Sequence, residues 1–147
     1  MRTYSAGFLI LAFLGAITGC KEAGSDGLTQ PTLSLVLKYT SFDTSGLAVA
    51  KGWLALNIKD SANFTGKWNI QLIGHPDPGR VGPQSGQGKL TGHQDGTKVF
   101  VELHPGFVDN NLGLLGEMDS GTIRGEWQWT SYVGLSGHGT FEATAIW

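Results

Sequence analysis

Residues 122–130, Thr-Ile-Arg-Gly-Glu-Trp-Gln-Trp-Thr, decide the fold. Ile123, Trp127 and Trp129 fall on one side of an extended chain, and Arg124, Glu126, Gln128 and Thr130 on the other. Successive side chains of a strand point to opposite faces, so this alternation predicts a strand with one face in a core. The pattern recurs. Phe64, Trp68, Ile70 and Leu72 oppose Thr65, Lys67, Asn69 and Gln71, and Leu33, Leu35, Leu37 and Tyr39 oppose Ser34 and Lys38. Near the end, Phe141, Ala143, Ala145 and Trp147 oppose Thr140, Glu142 and Thr144.

Outward from these stretches, eight strands can be marked, near 32–40, 47–59, 64–73, 87–93, 97–104, 112–118, 122–133 and 138–146. Most connections are hairpin-sized. Asp95-Gly96 is a tight-turn signal because glycine takes positive φ without strain, and Asp60-Ser61-Ala62-Asn63 and Asp119-Ser120-Gly121 serve similarly. No long apolar stripe of helical period follows residue 20. The one long connection, 74–86, reads GHPDPGRVGPQSG, and its three prolines predict an ordered, stiffened loop. The fold class is therefore all-β: an antiparallel up-and-down meander whose apolar face is best buried, and whose edges are best removed, by closing into an eight-stranded barrel. A two-layer sandwich is the alternative, since local pattern does not reveal whether the first and last strands pair.

An internal echo runs through the chain. Asp60-Ser61-x-x-Phe64-x-Gly66-x-Trp68 matches Asp119-Ser120-x-x-Ile123-x-Gly125-x-Trp127. Two turn-then-strand units obeying the same rules explain it, with glycine where strands cross closely; an old duplication would explain it too.

The first twenty residues, MRTYSAGFLILAFLGAITGC, belong to another kind of segment. A head carrying Arg2 precedes an uncharged apolar run from Ala6 to Ile17, shorter than the roughly 20 residues that span a bilayer but suited to an export signal. Ile17-Thr18-Gly19-Cys20 resembles the bacterial lipobox, with Ile17 where leucine is commoner. That resemblance implies cleavage before Cys20 and a lipid on its thiol, holding the chain on a cell membrane or an outer membrane. In a host with two membranes, Lys21 after the cysteine favours the outer one. The organisation expected is a signal peptide at 1–19, a lipidated cysteine and flexible tether at 20–31, and one barrel domain at 32–147.

Taking 19 from 147 leaves 128 residues, enough for one core. With Arg2 removed, nine basic residues face twelve acidic ones without any basic run, which argues against nucleic acid as a partner. Cys20 is the only cysteine, so neither an internal disulfide nor cysteine-ligated zinc is open to the domain. His75, His93, His104 and His138 stand in no close metal spacing, and neither a paired-carboxylate pattern nor a Gly-x-Ser-x-Gly elbow is present. No cofactor, metal or catalytic residue is assigned, and the reading is not an enzyme. Phe107 and Val108, in the loop after 104, are expected to cap one end of the barrel, with contact to a partner or a membrane as the alternative.

The candidate ligand-binding residues are Trp68, Trp127 and Trp129 on the inward face, and Trp53, whose face the pattern leaves open. Aromatic walls suit a mostly apolar pocket, although tryptophans can equally fill the interior of an eight-stranded barrel. Gly-x-Trp at a strand start is similar to the lipocalin and avidin group of barrels. Trp129-Thr130-Ser131 followed by Gly137-His138-Gly139-Thr140-Phe141 resembles the closing strands of avidin-type biotin binders. The resemblance implies the architecture. Those binders carry a ligand-contacting aspartate where this chain has Gly139, and a polar contact where it has Gly125, so biotin binding does not carry over. The function expected is a membrane-anchored binding module for a small apolar ligand or a partner protein, with a structural role for a fully packed barrel as the rival and an enzyme acting through residues at the barrel mouth as the third reading.

Overall fold

The computed structural model describes residues 33–60 and 62–146. The expected export signal, Cys20, the expected tether, Thr32, Ser61 and Trp147 lie outside the described residues. Eight strands are present: β1 Leu33–Phe42, β2 Ala48–Ile58, β3 Asn63–Leu72, β4 Gly86–Asp95, β5 Lys98–Glu102, β6 Asn110–Asp119, β7 Thr122–Ser131 and β8 Gly134–Ala145. One short helix, α1 Pro78–Val81, interrupts the β3–β4 connection. Each strand pairs antiparallel with the next, and β1 pairs with β8 from Leu37↔Ala145 to Phe42↔Thr140. The barrel is closed, and the sandwich alternative is set aside by that last seam. Among the described residues no helix is long and apolar enough to cross a membrane.

The turns form for local reasons. The Asp43 carboxylate accepts hydrogen bonds from the Ser45 hydroxyl and from the Ser45 and Leu47 amides, which hold it below the usual carboxylate range and staple the β1–β2 turn. Asp60 does the same for β2–β3 through the Ala62 and Asn63 amides. Gly96 takes φ +60° in the β4–β5 turn, as the Asp95-Gly96 pair predicts. The stretch expected to run to 133 instead breaks at Tyr132-Val133, where Gly134 at φ +103° starts β8.

The alternating faces are the ones the sequence indicates. Leu37, Tyr39, Leu54, Phe64, Trp68, Ile70, Leu112, Leu114, Ile123, Trp127 and Phe141 point inward and form one core. Leu33 shares their face but is exposed, at the free start of β1.

The Gly-x-Trp part of the echo, Gly66-x-Trp68 and Gly125-x-Trp127, has a structural counterpart. Trp68 on β3 lies opposite Gly88 on β4, and its indole N–H donates to the Leu103 carbonyl just beyond β5 at 2.6 Å. Trp127 on β7 lies opposite Gly139 on β8, and its indole N–H donates to the Phe42 carbonyl at the end of β1 at 2.9 Å. In each unit the tryptophan stands over a glycine of the next strand and bonds to the end of the strand after that. The preceding glycines, Gly66 and Gly125, sit where a Cβ would lie 2.0 Å from a neighbouring carbonyl oxygen, Ala55 and Leu115 respectively. Two equivalent units on opposite sides of the ring thus fill the interior.

Candidate functional site

An up-and-down barrel has two unlike ends. The β2–β3, β4–β5 and β6–β7 turns close one end tightly. The other, here the mouth, carries the β1–β2 turn, the long β3–β4 connection, the β5–β6 loop and the β7–β8 turn. The β3–β4 connection crosses this mouth. Asp77 caps α1, its carboxylate accepting from the Gly79 amide at 2.9 Å, with Pro78 opening the first turn. The segment then packs on the far side of the ring: the Arg80 carbonyl lies over Gly137 of β8, and Gly82 lies on the Trp129 ring. Val81 and Gln84 are pushed into the barrel and fully covered.

Gln84 is the unexpected member of this end. Its carboxamide oxygen accepts from the Tyr39 hydroxyl at 3.2 Å, and its nitrogen donates to the Val81 carbonyl at 2.8 Å. A buried amide is tolerated only when it is hydrogen-bonded, and these two bonds provide that. Burial drives the Tyr39 phenol pKa upward, so Tyr39 stays a neutral donor to Gln84. Among the described residues, the backbone–backbone hydrogen bonds made by residues 74–85 stay within the segment, and the Tyr39–Gln84 bond ties it to the barrel wall.

Outside this plug lies a cleft of about 590 Å³. Val49, Ile73, Val81 and Trp127 supply its apolar floor, Leu47 and Ala48 one side, and Asp43, His75, Asp77, Arg80 and His138 its polar groups. Asp77 and Arg80 form an exposed pair 3.9 Å apart. An apolar floor, a few convergent polar groups and a volume of this size are what small-molecule sites share. Among the described residues no group of three or more His, Cys, Asp or Glu side chains is placed to hold a metal ion.

The four candidate tryptophans separate. Trp68 and Trp127 are buried on opposite walls of the interior. Trp129 points inward two residues nearer the mouth, half-covered by Gly82, with its N–H donating to the Asn110 side chain at 2.8 Å. Trp53 points outward and is 40 % exposed, between Lys38 of β1 and Asn69 of β3. Only Trp127 reaches the cleft. Phe107 and Val108 do not cap the barrel. They are 68 % and 85 % exposed, because the plug already fills the space they were expected to cover. Gln84, the cleft and the shared position of His75 and His138 had no local signal, since they depend on which loops meet at the mouth.

His104, at the start of the β5–β6 loop, stands edge-on to Trp68 with ring centroids 5.0 Å apart, and its Nδ1 is buried without a partner. Burial lowers its pKa. As the pH falls past the unfolded value of about 6.5, the unfolded chain takes the proton before the folded one, so stability is full above that pH and declines below it. Melting temperatures between about pH 7.5 and pH 5 should therefore fall less steeply for His104→Gln than for the wild type. An equal fall would place the titrating group elsewhere.

With this geometry the chain takes its place among closed eight-stranded antiparallel up-and-down barrels, consistent with a calycin-like fold. Compared with protein-family models, curated proteins and solved structures, it matches none of them. The positions at which it departs from avidin-type binders have steric reasons. Gly139 lies beneath the Trp127 indole and Gly125 beneath β6, so neither has room for a polar side chain reaching a ligand.

Proposed function

We propose that this chain is a membrane-anchored, non-enzymatic binding module that takes a small, mostly apolar ligand in the mouth cleft rather than in the barrel lumen. The observation that carries the reading is the contrast between a lumen filled by Trp68, Trp127, Val81 and Gln84 and an open cleft of about 590 Å³ directly outside it. The lipid on Cys20 would be the anchor. β1 begins at the tight-turn end of the barrel, opposite the cleft. A partner protein is the second reading, favoured by Phe107, Val108, Tyr132 and Val133, four exposed apolar side chains on two mouth loops.

The test is native mass spectrometry of the chain purified from its host's envelope, with intrinsic tryptophan fluorescence as the binding readout. A reproducible extra mass lost on denaturation is expected. Leu47→Asp and Ala48→Trp should weaken binding at least about tenfold without lowering the melting temperature, and Cys20→Ser should leave the membrane fraction. A bare mass with no fluorescence response to apolar ligands would defeat the cleft reading, and co-purification of one protein would then establish the second.

A further inference from the structure

The chain contains no basic run, yet folding sorts its charges around the barrel. Strands β1 to β4 carry Lys38, Lys51, Lys67 and Lys89, all pointing outward and exposed, against the single acid Asp95 at the end of β4. Strands β5 to β8 carry Glu102, Glu117, Asp119, Glu126 and Glu142 against Lys98 and Arg124. One wall is cationic and the other anionic. Among the described residues the ion pairs are Arg80–Asp77 and Arg124–Glu142, so none of the four lysines is neutralised within the fold.

The cross-strand register shows how close these groups are. Lys67 lies directly opposite Lys89 across the β3–β4 pair, an arrangement that costs stability in the absence of a counter-charge. Val36, Ala55, Lys67 and Lys89 form one row across the four strands, and Lys38, Trp53, Asn69 and Gln87 form the next. Trp53 therefore has Lys38 directly across from it and Lys51 two residues away on the same face, in a row that ends in two carboxamides. A shallow groove of about 280 Å³ runs beside its indole, bounded by Lys38, Lys51, Asn69 and Gln71.

We infer that this wall binds an anionic polysaccharide, one whose sugar units carry carboxylate or phosphate groups. Each element of the surface has its counterpart in such a chain. A sugar ring offers an apolar C–H face, which the flat and half-exposed indole of Trp53 can cover. Its hydroxyls both donate and accept, as do the side-chain amides of Asn69 and Gln71. Its repeated anionic substituents complement the lysines and relieve the Lys67–Lys89 repulsion. The amide row and the groove beside one indole favour a polysaccharide over a flat bilayer, which needs a broader apolar contact. This site is on the outer wall and is independent of the mouth cleft.

The experiment uses the full chain in neutral detergent and follows tryptophan emission. The probes are a galacturonic acid oligomer, a neutral dextran oligomer of the same length and polyglutamate of matched charge. Phosphatidylcholine nanodiscs with and without phosphatidylglycerol are the membrane arm. The uronate oligomer should bind, dextran should not, and affinity should drop between ionic strengths of about 0.01 M and 0.15 M. Trp53→Ala and the double variant Lys67→Gln/Lys89→Gln, both titrated by calorimetry so that the lost indole removes no signal, should each weaken uronate binding at least about tenfold, while melting within a few degrees of the wild type. Leu47→Asp, in the cleft, should leave it unchanged. Equal binding of polyglutamate would reduce the site to bare charge and overturn the inference. So would full binding by the variants, or an emission shift with phosphatidylglycerol and none with uronate.

Discussion

Replacing Trp127 by alanine is expected to cost about 3–5 kcal/mol of folding stability. The indole is 1 % exposed, packs over Gly139, and donates its N–H to the Phe42 carbonyl at 2.9 Å. Removing it leaves a cavity and an unpaired carbonyl where β1 meets β8, in a domain whose total stability is of the order of 5–15 kcal/mol. Urea denaturation measures the effect, with Trp53→Ala as the control. Trp53 is outward and makes no core contact, so its loss should stay within about 0.5 kcal/mol. A loss for Trp127→Ala of about 1 kcal/mol or less would mean that the indole lines open space rather than filling it, and the ligand site would move back into the lumen.

The second large effect is Gly139→Ala, with an expected loss of about 3 kcal/mol, at the upper end of overpacking costs. A Cβ built there lies 2.1 Å from the Phe42 oxygen and 2.7 Å from the Trp127 indole nitrogen, the acceptor and donor of the same hydrogen bond. One methyl group must therefore break the bond, shift β1 from β8, or both. Neither partner is the end of a flexible side chain that could move aside. Gly113→Ala is the matched comparison. Its Cβ would meet the Phe100 ring at 3.5 Å, an ordinary contact, so that variant should melt within a few degrees of the wild type. Similar melting curves for the two variants would show that β8 can shift away from β1 at little cost.

Much of the barrel was legible because strand periodicity is a local property. The inward positions of β1, β3, β7 and β8 follow from alternation alone, and the hairpin turns from Asp and Gly placement. β2 resisted because Trp53 and Leu54 are adjacent large apolar residues, and two in a row leave the phase of alternation undecided. Only the register Leu54↔Leu37 and Leu54↔Trp68 shows that Leu54 is inside and Trp53 outside. Phe107 and Val108 misled for a related reason: an apolar loop tip looks like a cap unless another loop has already taken the space.

By itself, then, the sequence determined the class of fold, the number of strands, the inward faces of β1, β3, β7 and β8 and the repeated glycine–tryptophan units, because each depends on residues within about ten positions of one another. The tertiary structure decided the rest. Closure depends on pairing Leu37 with Ala145, the plug on Gln84 reaching Tyr39, and the cleft on the β1–β2 turn and the β3–β4 connection meeting the first residues of β8 at one end. The cationic wall depends on strand register bringing Lys38, Lys51, Lys67 and Lys89 together, although they lie far apart along the chain. Such contacts carry no local pattern, since the chemistry that makes them favourable exists only once distant strands are side by side.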